Sequence, residues 1–257
     1  MKKSIRIIVN IALSALLIFG LSKLALSIRD NVHSRQEYDE AVQIAFAQSY
    51  EETVSEAESE LPHDPVIAEL LAIDFDALRK ENEDVIGWIY IPDSEIKYPL
   101  LQGSDNAFYL SHTWKKSVNP SGAIFMDCQN RADFEQFNTI IYGHNQMYGD
   151  MFASLHDYRK AEYAAEHPYV YIANDEAVFR YDVFVARFVA INSIVYGLNI
   201  QKSQHKEEFL SFLQDAYVKT EDKPTIDDSF ITLSTCTGGD SGRRMVVVAA
   251  LNLVFHK

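Results

Sequence analysis

The stretch from Ile231 to Ala249 reads ITLSTCTGGDSGRRMVVVA. Ahead of the glycines, Ile231 and Leu233 alternate with Thr232, Ser234 and Cys236. Alternation is the period of a β-strand, because successive side chains leave opposite faces. After them, Met245 to Val248 is an apolar run rich in β-branched residues, again a strand. TGGDSG is too short for a crossover, so the second strand returns beside the first. A thiol therefore ends one strand and two arginines, Arg243 and Arg244, open the next. The apolar pair belongs in the core, which puts Cys236 on the more polar face at an accessible strand end. Alternation places Arg244 with Val246 and Val248, fixed by its strand, whereas Arg243 lies nearer the turn and solvent.

Short β-type runs recur upstream. VIGWIYI (85–91) and IKYPLL (96–101) flank the turn PDSE. GAIFMD (122–127), NTIIYGH (138–144), YVYIA (169–173) and AVFRYDVFVARFVAI (177–191) are further strands, the last two joined by a tight hairpin at 174–176. Short strands at this spacing predict a barrel or sandwich. Helices are added to it. Tyr38, Ala41, Val42 and Ala45 recur at helical spacing in a stalk from about Arg29 to Leu61, which Pro62 and Pro65 interrupt. A helix, or two short ones, covers 66–80, with Asp74 as an N-cap. GDMFASLHDYRKAEYAAEH (149–167) reads as helix up to Pro168. Phe209, Phe212, Leu213, Ala216 and Tyr217 form the apolar face of a late helix. The fold class is mainly β with added helices.

The chain has 257 residues and a formal net charge of −14, which disfavours nucleic-acid binding through a general basic surface. Its N-terminus places Lys2, Lys3 and Arg6 before an apolar run from about Ile7 to Leu26. A bilayer core takes roughly 20 apolar residues as helix. The basic cluster favours a cytoplasmic N-terminus with the rest of the chain outside. With no convincing small-x-small cleavage site, an uncleaved anchor is expected rather than a removed signal peptide. The expected organisation is 1–28 cytoplasmic start and anchor, 29–73 helical stalk, and 74–257 the β-rich domain. Two cysteines, Cys128 and Cys236, invite a disulfide in an extracellular chain, but a working Cys236 requires Cys128 to be free or buried and dispensable.

A thiol acts as a nucleophile when ionised, so its pKa must be lowered or a base supplied. A guanidinium favours the thiolate and binds an oxyanion. Of eight histidines, His33 and His63 lie in the stalk region, His156 and His167 in a polar helix, His205 before a helix and His256 at the terminus. His144 follows IIYG at a strand end and precedes a loop, the kind of rim where catalytic groups sit on a rigid scaffold. His112, in YLSHTW, is the second candidate.

TLSTC, the arginine opening the following valine-rich strand, and YGHN about ninety residues upstream together resemble the sortase family of cysteine transpeptidases. IGWIYIPDSEIKYPLLQGSDNAFYLSHTW, SGAIFMDCQN, IIYGHNQMYGDMFASL and the helical insertion between 191 and 229 are most similar to class B. The resemblance covers the chain from about Asp74 to Phe255. It implies an eight-stranded β-barrel with N-terminal helices and a late helical insertion. It implies Cys236 as nucleophile, His144 as general acid/base and Arg244 as stabiliser of substrate and oxyanion. Ser234, Thr235 and Asn106 become expected substrate contacts. The implied reaction cleaves a C-terminal sorting motif of a secreted surface protein through a thioacyl enzyme, which an amine of peptidoglycan or its precursor resolves. The catalytic domain would lie outside the cell membrane. His144 and Cys236, if adjacent, titrate as a pair. No cofactor is implied, and no acidic loop spacing of the calcium-using class A type is present, so no metal is expected. A pilin-polymerising enzyme is disfavoured by the want of a lid motif and of a second apolar tail. A purely hydrolytic Cys–His peptidase and a non-catalytic tethered binding module are the rival readings.

Overall fold

A computed structural model describes residues 2–47, 64–146, 148–198, 200–214, 218, 223–236 and 242–257. Its centre is a barrel of eight strands: β1 (Val85–Tyr90), β2 (Lys97–Leu101), β3 (Phe125–Met126), β4 (Asn138–Tyr142), β5 (Tyr169–Ala173), β6 (Ala177–Ala190), β7 (Phe230–Cys236) and β8 (Arg243–His256). The order around the closed barrel is β1-β2-β3-β4-β7-β8-β6-β5. Most neighbours are antiparallel, but β2–β3 and β4–β7 are parallel. A parallel pair needs a long connection, and between β4 and β7 the chain builds two further strands and a helical insertion. The long β6–β8 pair shifts register between Arg180 and Tyr181 and between Val183 and Val185. Bulges of this kind bend strands enough to close a barrel.

The main apolar core contains Trp88, Ile89, Leu100, Ile141, Ile231 and Leu233, all buried. On β7 the side chains opposite Ile231 and Leu233 form the more polar face, as alternation predicts, but this face is not open to solvent along the strand. Thr232 and Ser234 are buried as well. The outside of the barrel here is covered by a second apolar cluster containing Val185, Val195, Phe209, Leu213, Val246 and Val248. Only Cys236, at the strand end, reaches the edge of this cover and is half-buried.

Under the cover, Asn138 and Thr232 are paired. Asn138 Nδ2 donates to the Val195 carbonyl (2.8 Å) and its Oδ1 accepts from Thr232 Oγ1 (2.8 Å). Asn138→Ala strands both partners in an apolar setting, at an expected cost of about 2–4 kcal/mol. Urea unfolding should show the lowered midpoint, and adding Thr232→Val should recover part of it, since removing both partners costs less than removing one.

Helix α1 (Lys2–Ala45) is continuous, so the expected boundary at 28/29 falls inside one helix. It is long and apolar enough to cross a membrane, its best 18-residue window having mean hydropathy 2.1 and no burial. Its far end joins the barrel core through buried Tyr38, Ala41 and Ala45. Pro62 lies outside the described residues. Pro65 opens α2 (Pro65–Leu71) rather than ending a helix, at the first-turn position where a missing N–H costs nothing. Asp64 caps it by accepting from Val66 N. Asp74 caps α3 (Phe75–Glu81) by accepting from Ala77 N (2.8 Å).

Three other expectations change. The strand at 122–127 shrinks to Phe125–Met126. The helix at 149–167 becomes a 3-10 turn (Ala153–Arg159) and a short α4 (Ala161–Glu166), because Lys160 between them is extended (φ −94, ψ 125). In α5 (Ser203–Leu213) Phe209 and Leu213 are buried while Phe212 is exposed; Ala216 and Tyr217 lie outside the described residues.

Candidate active site

β4 and β7 run parallel with Tyr142 opposite Ser234. Gly143 N carries the ladder one step further by donating to the Ser234 carbonyl (3.1 Å). His144 is two residues past Tyr142, and Cys236 is two past Ser234. Parallel strands about 4.8 Å apart keep their register, so the imidazole and the thiol emerge side by side. On the other flank β7 and β8 are antiparallel with Cys236 directly opposite Arg244. Three neighbouring strand ends thus bring together a thiol, an imidazole and a guanidinium.

His144 is held in place from two sides. Its Nε2 donates to the Leu110 carbonyl (2.7 Å), which leaves Nδ1 to exchange a proton with the thiol. Two glycines make room. Gly122 has φ +61, and a Cβ there would lie 2.6 Å from the Tyr109 carbonyl oxygen and 2.8 Å from His144 Cδ2. A Cβ on Gly143 would run into Ile124 Cδ1 and the Phe152 ring.

The pair is coupled. The hydrogen bond with His144 pulls the Cys236 pKa below the ordinary thiol value, against burial and with help from Arg244. The same bond pushes His144 above the ordinary imidazole value, against burial and with help from the Leu110 carbonyl. Two values that start on opposite sides of neutrality move toward each other, so the thiolate–imidazolium form gains population. Alkylation follows the thiolate fraction, so its rising limb at Cys236 should lie at lower pH than for a free cysteine. His144→Ala should move that limb to higher pH. Iodoacetamide rates against pH, with the Cys236 peptide identified by mass spectrometry, check this.

Of the two arginines, Arg244 is half-buried and acts electrostatically on Cys236. One of its nitrogens, Nη1, donates to the Arg243 carbonyl (2.9 Å). Arg243 is exposed and lies over the Phe188 ring, 5.4 Å from its centroid.

The three expected substrate contacts fall in different places. Ser234 shares the face of Cys236, but it is 3% exposed and its Oγ is hydrogen-bonded to Tyr196 Oη (2.8 Å). Thr235 is corrected: alternation turns it to the opposite face, beside Met245 and 2% exposed, so its hydroxyl is not presented next to the thiol. Asn106 braces a turn, donating to Asp127 Oδ2 (2.8 Å) and accepting from Cys128 N (2.8 Å). Tyr142 Oη also donates to Asp127 Oδ2 (2.9 Å). Both cysteines are free thiols. The second histidine candidate, His112, stacks on Phe108 at 4.0 Å, and its Nδ1 donates to the Phe108 carbonyl (2.8 Å).

Two residues near the site carried no signal in the sequence. Tyr196, in a 3-10 turn (Ile194–Tyr196), feels both Arg244 and Cys236, and burial pushes its phenol pKa up. His156, read as part of a polar helix, donates from Nε2 to the Cys236 carbonyl (2.9 Å) and lies 3.2 Å from Asn145 Nδ2. Among the described residues no group of three His, Cys, Asp or Glu side chains is arranged to hold a metal ion.

The sequence profile described as the Sortase domain matches residues 89–252, more than half of the chain. The chain belongs to the sortase family. Among its relatives, sortase B of Listeria monocytogenes is 34% identical over 160 residues, 62% of this chain and 65% of that protein's length. Sortase B of Staphylococcus aureus is 31% identical over 180 residues, 69% of this chain and 74% of that protein. The structure of a S. aureus sortase B–substrate complex aligns with a TM-score of 0.71 at 26% identity, covering 87% of this chain and 98% of that one. The eight-stranded barrel with appended helices is therefore the sortase B fold, and in this sortase Cys236, His144 and Arg244 come together where β4 and β7 end and β8 begins.

Proposed function

We propose that the protein is a membrane-anchored cysteine transpeptidase that cleaves a C-terminal sorting motif and joins the cleaved protein to a cell-wall amine. The observation that carries this is the juxtaposition of Cys236, His144 and Arg244 on three adjacent strand ends. The Cys236 thiolate attacks the scissile carbonyl, and the electron pair moves to the carbonyl oxygen. Arg244 faces that developing oxyanion. Collapse breaks the C–N bond as the His144 imidazolium protonates the departing amine. A thioester remains. An incoming amine attacks it, His144 takes a proton from that amine, and the thiolate departs. A related sortase B was solved in complex with triglycine, which fits an amine acceptor for the second half. The apolar part of α1 supports anchoring, and the basic residues before it support a cytoplasmic start with the barrel outside. A peptide-library cleavage assay with mass spectrometry of the enzyme tests this reading. A mass increase on Cys236 that an added amine converts into a ligated product supports it. Release to water alone, whatever amine is present, would mark a hydrolytic peptidase instead.

A further inference from the structure

The loop that begins at His144 is gripped from outside the barrel. Asp150 is 8% exposed, and its carboxylate is bound by two side chains of α1. Asn31 Nδ2 donates to Oδ2 (2.7 Å), and Arg35 Nε donates to Oδ1 (3.0 Å) and Oδ2 (3.1 Å). Arg35 Nη2 adds a bond to the Tyr148 carbonyl (3.2 Å). The backbone is contorted to aim this carboxylate outward. Gly149 has φ 89, and Met151, which has a Cβ, has φ 58. A side-chain-bearing residue persists in that region only when its surroundings hold it there.

The grip connects to His144 by short steps. Met151 bridges Asn145, the residue after His144, and Phe152 N donates to the His144 carbonyl (2.9 Å). The opposite wall is held by the same helix. Tyr38 Oη donates to the Gly122 carbonyl (2.9 Å), where Gly122 packs on the His144 ring, and Asn119 Nδ2 donates to the Asp30 carbonyl (2.8 Å). Gln146 Nε2 ties the two walls together through the Pro120 carbonyl (3.1 Å).

We propose that Asp150 is a positioning residue for His144, held by Asn31 and Arg35, so that the helix carrying the apolar run also sets the placement of the acid–base group. This rests on the proposed Cys236–His144 pair. Losing the grip leaves a buried carboxylate unpaired next to a strained turn, and the loop relaxes by shifting the end that carries His144. The groups facing the pair are Arg244, Tyr196 and His156. Those around Asp150 are Arg35, Asp39, Glu95, Lys97 and Tyr98.

The test uses the full chain in detergent micelles, with iodoacetamide alkylation of Cys236 followed against pH by mass spectrometry. Asp150→Asn and Arg35→Gln should each move the rising limb to higher pH and slow alkylation at neutral pH by about threefold or more. The double variant should be no slower than the worse single one, because both break one grip. Arg35→Lys, which keeps the charge, should recover part of the rate. A variant acting only through fold stability would lower the reactive amount without moving the limb. If Asp150→Asn does not fold, Arg35→Gln carries the test, since its side chain is 53% exposed. A depressed wild-type limb that both single variants leave in place overturns the proposal while the Cys236–His144 pair stands. A wild-type limb at the ordinary thiol position overturns the pair, and the proposal with it.

Discussion

Cys236→Ala should abolish turnover of a sorting-motif peptide, by about 10⁴-fold or more, with the fold intact. Removing the nucleophile of a covalent catalyst typically costs several orders of magnitude, because every other group acts on the bond it makes. The side chain is half-buried at a strand end, and alanine keeps the β7 backbone pairing to β8 at Arg244 and to β4 at Tyr142. Stability should therefore change little, and a thermal melt run beside the assay separates loss of chemistry from loss of fold. The variant should also show no enzyme mass increase with a motif-bearing peptide. Full activity would remove the thiol from the mechanism altogether.

Arg244→Met should lower kcat/KM by about 10²–10³-fold, the usual range for losing one donor to a developing oxyanion. Arg243→Met should stay within about threefold of the parent, since surface charges away from the reacting atoms contribute little. The difference comes from strand register. Arg244 is directly opposite Cys236, whereas Arg243 leaves the other face of β8 toward Phe188. Arg244→Lys should recover little, because an ammonium lacks the planar fork of donors. Steady-state kinetics on the three variants checks this, and equal losses at both arginines would refute the assignment by register.

The strands were legible wherever period decided the matter. Ile231 and Leu233 announce β7, and the valines after Arg244 announce β8. What period does not reveal is which side of a strand meets water. The cover over Thr232 and Ser234 comes from Val195, Phe209 and Leu213, which lie in the insertion and carry no local sign that they fold back onto β7. Cys236 and Arg244 could be associated because a short turn separates them. The pairing of β4 with β7 could not be read in this way, because parallel pairing joins segments far apart along the chain. His144 was reached through its loop context and through the resemblance of YGHN. His156 and Tyr196 had no such context, since a histidine in a polar segment and a tyrosine in a loop look the same whether or not they touch a nucleophile. The run from Ala153 to Glu166 has helical composition, but the extended Lys160 divides it.

The continuity of α1 sets a working height. The apolar run ends near Leu26, and Asn31 already touches the loop that starts at His144. At 1.5 Å per residue, that interval is about 8 Å along the helix axis. With the run seated in a bilayer as proposed, the loop that starts at His144 would stand close above the lipid headgroups. An extended peptide advances about 3.3 Å per residue, so under the proposed function a protein held at the membrane surface would need a spacer of only a few residues to present its motif. A rigid post of this length would favour tethered cargo over freely diffusing chains, through the geometry of approach alone.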